Sequence, residues 1–406
     1  MFAGLQKEIL GDTATSIKFQ RLGLLIARGG RILGPETGRR QEASMISGTA
    51  GGGSGLAFVD CGMSAAVGSL PEGRRRGVAV NGRRIRTIDI HAHCAVPEAL
   101  ALMGHKLEGP QNRLDLDMAT TVSLRMKLMD QQAIDVEALS INPNWYAIQD
   151  RDLAAKVIQI QNERLAEACA ANPERFVAFA TAALQFPDLA ADQIEQAVRK
   201  LGLRGVGIGG NVAGMEISDP ALNPFWAKAE SLGILVFIHP QGDGAPSQLG
   251  HRFRGNGYLS NVIGNPLETS IALSHLIFDG TLDRYPGIKI CAAHGGGYLP
   301  SYAARSDLGC KVRPDLCHGG TWGPIKKRPT EYLRQMYYDT MVFSEEGLRH
   351  LVVEVGADRL MIGTDYPYPW TSTSVEHVLE SPHLSDAQKA AILGGTAATL
   401  LGIAAA

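Results

Sequence analysis

The chain of 406 residues has almost no net charge: 39 lysines and arginines stand against 41 acidic residues, for −2 overall. That balance removes the electrostatic case for a nucleic-acid partner. No window is apolar for long enough to cross a bilayer, so a membrane span is excluded as well. Cysteine is scarce. The six residues Cys61, Cys94, Cys169, Cys291, Cys310 and Cys317 form no CxxC pair. Their spread does not look like a disulfide framework, and the expectation is free thiols in a reducing compartment. The glycine cluster at 49–55 lacks the Gly-Lys-Ser/Thr ending that a phosphate-binding loop needs. What remains, 45% hydrophobic and 20% charged, is an ordinary soluble globular composition.

Two regions differ. Residues 1–85 are rich in glycine and arginine and hold few sustained apolar periods, which predicts a flexible N-terminal extension. These features predict a cytoplasmic protein. The alternative is export: Arg39 and Arg40 precede a Gly/Ala/Ser-rich stretch in the manner of a degenerate twin-arginine signal, with Glu42 where an apolar residue is expected. From residue 86 to residue 406 the chain alternates between strand-like and helical segments. Eight apolar runs read as strands: 87–93, 136–142, 176–184, 205–210, 234–240, 289–296, 336–343 and 360–367. Helical spacing appears at 153–171 and 188–201, and Ser385 and Gln388 form a capping box opening a last helix that runs to about Gly402. Strands apolar on both faces, alternating with helices, indicate a parallel sheet, and eight such units fit a (β/α)8 TIM barrel.

Ionisable groups recur where these strands end. His91 and His93 close the first, His239 the fifth, His294 the sixth and Asp365 the eighth. Alternate residues of a strand share a face, so His91 and His93 point the same way. Each alone has a bland reading, as a hydrogen-bonded core histidine or a turn aspartate. A barrel gathers its strand ends at one rim, and independent core residues have no reason to repeat there. Three imidazoles and a carboxylate suit Zn²⁺ first, with Mn²⁺ or Fe²⁺ as alternatives. No lysine closes the fourth strand, Gly205–Gly210, so one divalent ion rather than a carbamate-bridged pair is expected.

These residues resemble the amidohydrolase-related metal-dependent decarboxylases, nearest the aminocarboxymuconate-semialdehyde decarboxylase branch. The likeness covers 86–406 and includes 172–181, 268–273, 284–297, 311–317 and 394–402. It implies that His91, His93, His239 and Asp365 bind the metal and that His294 is the acid–base, with Asp365 also counted among the catalytic groups. It implies further that Arg305 reaches the substrate of a neighbouring subunit, hence a homodimer. The other reading of Arg305 is a local pair with Asp307. Two positions depart from the pattern. An arginine expected after the first strand is Leu116, with Arg113 nearby, and a tryptophan expected after His239-Pro240 is Gln241. Gln241, Tyr368 and Trp145 are therefore candidate substrate contacts, with Tyr366 and Trp370 as further parts of an aromatic wall.

The implied activity is non-oxidative decarboxylation of a small aromatic or dienoic (muconate-type) carboxylate. Either an activated water adds to a diene before CO₂ leaves, or chelation of carboxylate and phenolate precedes protonation of the ring. A hydrolase or hydratase could use the same site, and a barrel kept only for binding is a third possibility that the complete residue set disfavours. Asp339 on the seventh strand fits equally a ligand-orienting or a structural carboxylate. His251, His275 and His318 have no evident partner.

Overall fold

A computed structural model describes residues 77–105, 118–142, 144–241, 250–317, 319, 323–368 and 370–404. Residues 1–76, most of the expected extension, and the positions Arg113, Leu116 and His318 lie outside them. The described chain opens with an antiparallel hairpin, Val78–Val80 against Arg83–Ile85, inside the stretch assigned to the extension. Its Val78 and Val80 are buried, and Arg84 forks onto both oxygens of Asp135 at 2.8 Å.

Eight strands then follow: β1 (Ile88–Cys94), β2 (Val136–Ile141), β3 (Phe176–Ala180), β4 (Gly205–Gly209), β5 (Leu235–His239), β6 (Lys289–Ala292), β7 (Tyr337–Asp339) and β8 (Leu360–Met361). They pair in parallel in chain order. The sheet closes between β1 and the chain after β8. Ile90 N donates to Ile362 O at 3.0 Å, Asp365 N to His91 O at 2.8 Å and His93 N to Tyr366 O at 2.6 Å. The (β/α)8 barrel read from the sequence is the fold.

Two apolar layers hold it. Ile88, Ile90, Phe179, Leu235, Phe237 and Met361 fill the lumen, where Leu400 and Leu401 of the last helix join them. A larger layer packs the outer strand faces against the helices, with Trp226, Phe225, Leu276 and Tyr332 fully buried. The helices carry the expected signals. Asp150 caps Arg151–Ala171 by accepting from Asp152 N and Leu153 N. The Ser385 capping box is present, but the final helix is not continuous: a π turn at Ala391–Gly395 divides Asp386–Ala390 from Thr396–Leu401. That wide turn frees the Ile392 carbonyl to accept from Ile362 N at 3.2 Å, and a Cβ on Gly394 would strike Arg86 O at 1.9 Å.

Cys310 and Cys317 correct the free-thiol expectation. Helix Leu299–Val312 ends in a short turn that brings their Cα atoms to 5.4 Å, and a disulfide joins them. Cys94, Cys169 and Cys291 are free. Among the described residues no helix is long and apolar enough to cross a membrane.

Candidate metal centre

The ladder between β1 and β2 slips between Asp89 and Ala92. Bulges of this kind re-aim side chains. Ile88 and Ile90 point into the lumen below the slip, and above it the His91 ring packs on Phe237 with centroids 5.1 Å apart. His93 follows on the same face, its ring 4.9 Å from that of His91. His239 leaves β5 in the inward register of Leu235 and Phe237.

His294 and Asp365 lie just beyond their strands, both with left-handed backbone, φ 55° and 59°. Such angles are uncommon for residues with a side chain and mark locally constrained sites. After His294 the left-handed run continues through Gly295, Gly296 and Gly297, where a Cβ at Gly297 would meet Pro266 O at 2.2 Å. The run turns His294 N and Gly295 N onto the Asp339 carboxylate at 2.9 and 2.8 Å, a small nest for an anion.

All five groups converge. The Nε2 atoms of His91 and His93 are 3.0 Å apart and lie 3.1 and 2.9 Å from Asp365 Oδ1. His239 Nε2 is 4.0 Å from the same oxygen, and His294 Nε2 is 3.8 Å from Asp365 Oδ2. One donor atom from each of His91, His239, His294 and Asp365 fits within a mutual 4.8 Å. His91, His93 and Asp365 are buried, and His239 is 7% exposed. Both ring nitrogens of His239 and Nδ1 of His294 are buried without a hydrogen-bond partner. Buried polar atoms are normally satisfied, and an unpartnered His239 Nε2 beside two further histidine Nε2 atoms and a carboxylate fits a divalent cation. A divalent metal site is thus indicated, with three or four imidazoles and a carboxylate as available donors.

The surrounding layer orients the rings. His91 Nδ1 donates to Asp339 Oδ2 at 2.7 Å, and His93 Nδ1 to Ser140 Oγ at 2.9 Å, which leaves each Nε2 facing the cluster. Asp339 also accepts from Met341 N at 3.1 Å, so it orients His91 as well as bracing β7. Asp89, also fully buried, accepts from His91 N at 2.9 Å and Thr364 N at 3.1 Å and stitches β1 to the segment bearing Asp365. Asp89, Ser140 and the buried pair Arg125–Glu137 were not singled out in the sequence. The signal was there: three of the four are polar breaks in strands otherwise apolar on both faces.

Electrostatics follow from burial. Desolvation pulls His91 down, but the Asp365 and Asp339 carboxylates outweigh it and raise it to about 10. Burial lowers His93 to about 4 and His239 well below the usual histidine range, the neutral form a metal ligand requires. Burial opposes ionisation of Asp365 and Asp339, yet the facing histidines hold both below the ordinary carboxylate range. At Asp89 the balance falls the other way: burial, with Glu137 next, outweighs the hydrogen bonds from Thr364 and His91 and the His91 charge, and raises it to about 7.

The other candidates separate. A cavity of about 550 Å³ reaches His294 on one wall and is otherwise lined by residues including Val262, Met341, Phe343 and Trp370. The Tyr368 ring lies 5.9 Å from that of His93. Tyr366 turns behind the site, under Arg125. Trp145 stacks on His105 at 5.0 Å, and its neighbour Asn144 donates N–H to Gln241 Oε1 at 3.0 Å. Arg305 is exposed on helix Leu299–Val312, and among the described residues it makes no ion pair. Asp307 instead accepts from Thr330 N and Oγ1 at 3.0 and 2.7 Å. His275, with no evident partner in the sequence, bonds Asp279 Oδ2 at 2.8 Å.

Comparison with known proteins agrees with this picture. The chain is 33% identical to the 2-amino-3-carboxymuconate-6-semialdehyde decarboxylase of Dictyostelium discoideum, over 69% of this chain and 76% of that one. The 5-carboxyvanillate decarboxylase of Sphingomonas paucimobilis superposes with a TM-score of 0.68 at 27% identity, covering 79% of this chain and 99% of its own. A dihydroxybenzoic acid decarboxylase from Polaromonas, solved with bound manganese and the inhibitor 2-nitroresorcinol, gives 0.67 at 26%, covering 78% and 96%. The amidohydrolase family profile matches residues 88–403, and the chain belongs to that family.

Proposed function

We propose that this protein is a metal-dependent, non-oxidative decarboxylase of a small aromatic or muconate-type carboxylic acid. The observation that carries the reading is the convergence of His91, His93, His239, His294 and Asp365 at one barrel rim, beside a cavity whose wall includes His294. Decarboxylases among its relatives support the reaction class. We assign His91, His93, His239 and Asp365 as ligands and His294 as the acid–base. Zn²⁺ and Mn²⁺ both suit this donor set, and the manganese-bound relative favours testing Mn²⁺ first.

When bound, the cation supplies Lewis-acid chemistry: it anchors substrate oxygens and draws electron density toward them. The chain does the rest. Asp339 and Ser140 fix the His91 and His93 rings so that Nε2 lone pairs face the cluster. The wall of Val262, Met341 and Phe343 offers a flat substrate an apolar surface. Protonated His294 delivers its Nε2 proton to the carbon that bears the carboxylate. The C–CO₂ bond then breaks, its electron pair stays on the ring, and His294 regains a proton from solvent.

We further propose a homodimer in which Arg305 serves the partner's site. Its exposure and the apolar face around it, with Tyr302 66% and Leu308 62% exposed, support this reading. The Cys310–Cys317 disulfide favours export over a cytoplasmic location, because such bonds persist in oxidising compartments. The test is CO₂ release by the Mn²⁺- and Zn²⁺-loaded protein from 2,6-dihydroxybenzoate, 5-carboxyvanillate and aminocarboxymuconate semialdehyde, alongside lactone and ester substrates. Release from any of the acids supports the assignment. Hydrolysis without CO₂ release overturns it.

A further inference from the structure

Arg125, from helix Met118–Gln131, is wholly buried. Its Nη1 donates to Glu137 Oε2 at 2.7 Å, its Nη2 donates to the His93 carbonyl oxygen, and its Cζ lies 4.3 Å above the centre of the Tyr366 ring. Glu137 on β2 is buried too, so the two charges balance each other. Balance alone needs only the Glu137 contact. The other two fall on the segments that carry His93 and Asp365, joined by the bond from His93 N to Tyr366 O at 2.6 Å. One planar cation therefore braces the seam where β1 meets the chain after β8, and it does so from behind the cluster.

We propose that Arg125 is a positioning residue of the metal centre, which sets the separation of His93 and Asp365 without touching metal or substrate. The inference rests on the metal-centre reading above. Its physical basis is the fork of the guanidinium, which meets a carboxylate and a carbonyl at once while its face lies on an aromatic ring. A lysine ammonium keeps the charge but not this three-way geometry. If the brace is lost, His93 Nε2 and Asp365 Oδ1, now 2.9 Å apart, are no longer held in register.

The double variant Arg125→Met/Glu137→Gln removes both buried charges together, which is often tolerated where removal of one is not. It separates the two roles. Expected is a folded protein, by circular dichroism and thermal melting, whose Mn²⁺ affinity by calorimetry falls ~10–100-fold, the range seen when groups that orient ligands are lost. At saturating Mn²⁺, kcat falls with little change in KM. A folded double variant with wild-type Mn²⁺ affinity and kcat overturns the proposal and leaves Arg125 as a mere counter-charge. Should that variant not fold, Arg125→Lys decides, since it keeps the charge pair and loses the fork: a drop in Mn²⁺ affinity supports the proposal and unchanged affinity overturns it. Wild-type protein that takes up no Mn²⁺ refutes the metal-centre reading instead, a distinct outcome.

Discussion

Replacing Asp339 by asparagine tests how the second layer controls the centre. In the native site Asp339 Oδ2 accepts from His91 Nδ1 at 2.7 Å and from His294 N at 2.9 Å, while Oδ1 accepts from Gly295 N and Met341 N. An asparagine of the same shape keeps the Oδ1 contacts but presents an amide NH₂ to the other two donors. His91, protonated on both nitrogens in the metal-free native site, sheds the Nδ1 proton, so that Nδ1 becomes the acceptor and Nε2 alone keeps its proton. That proton then points at Asp365 Oδ1, 3.1 Å away, a comfortable arrangement that a cation must undo. The expected loss is ~10–100-fold in metal affinity, or about 1.4–2.7 kcal/mol. The His294 N–H left facing a donor removes about 1–3 kcal/mol of stability. Ser140→Ala is the graded comparison. It deletes one neutral hydrogen bond to His93 at 2.9 Å, worth about 1 kcal/mol, so its affinity loss stays below ~10-fold. Calorimetric titration of metal-free proteins with Mn²⁺, paired with chemical denaturation, reads both quantities. An Asp339→Asn protein with native affinity refutes the tautomer argument. An Asn variant that is unfolded while a metal-loaded sample is fully native confines Asp339 to a structural role.

Four further outcomes are expected. His294→Asn retains metal and fold but loses ~10²-fold or more in kcat; loss of metal in that variant would make His294 a ligand. Metal affinity rises with pH, ~10-fold per unit through the neutral range, because carboxylates hold a proton on His91 up to about 10 and metal uptake must release it; proton release measured in buffers of different ionisation enthalpy checks this. In the native protein Cys94 resists alkylation at mildly alkaline pH, since burial pushes its thiol up to about 12, and mass spectrometry finds Cys310 and Cys317 labelled only after reduction. A mixed dimer of Arg305→Ala and His294→Asn subunits regains activity if Arg305 crosses the interface, and none if Arg305 serves its own chain.

The sequence disclosed the fold because parallel strands in a barrel are apolar on both faces, and this makes each run stand out. It disclosed His91, His93, His239, His294 and Asp365 because a polar residue ending such a run has few reasons to be there. Of the groups those residues lean on, it pointed to Asp339 alone, as a ligand-orienting or a structural carboxylate. Asp89 and Glu137 break strands that are apolar on both faces, which marks them as buried but does not say which group each one braces. The bulge between Asp89 and Ala92 and the left-handed backbone at His294 and Asp365 arise from contacts distant in sequence. The Cys310–Cys317 bond was missed for a simpler reason: a pair seven residues apart follows no common motif, and only the turn after Val312 brings it together.

Charge accounting ties the layers to the function. Asp365 and Asp339 place two negative charges among rings that burial keeps neutral at His93 and His239. Buried carboxylates demand a positive partner nearby. The proton on His91 meets half of that demand, whereas a divalent cation on three neutral imidazoles and Asp365 meets all of it. Behind the seam the same rule holds differently, since Arg125 cancels Glu137 and Asp89, raised to about 7, sheds its charge by keeping its proton below that pH. The outer carboxylates are thus settled without a metal, and the inner pair is settled best with one. That asymmetry is why a cation belongs on the lumen side of His93 and a guanidinium on the other.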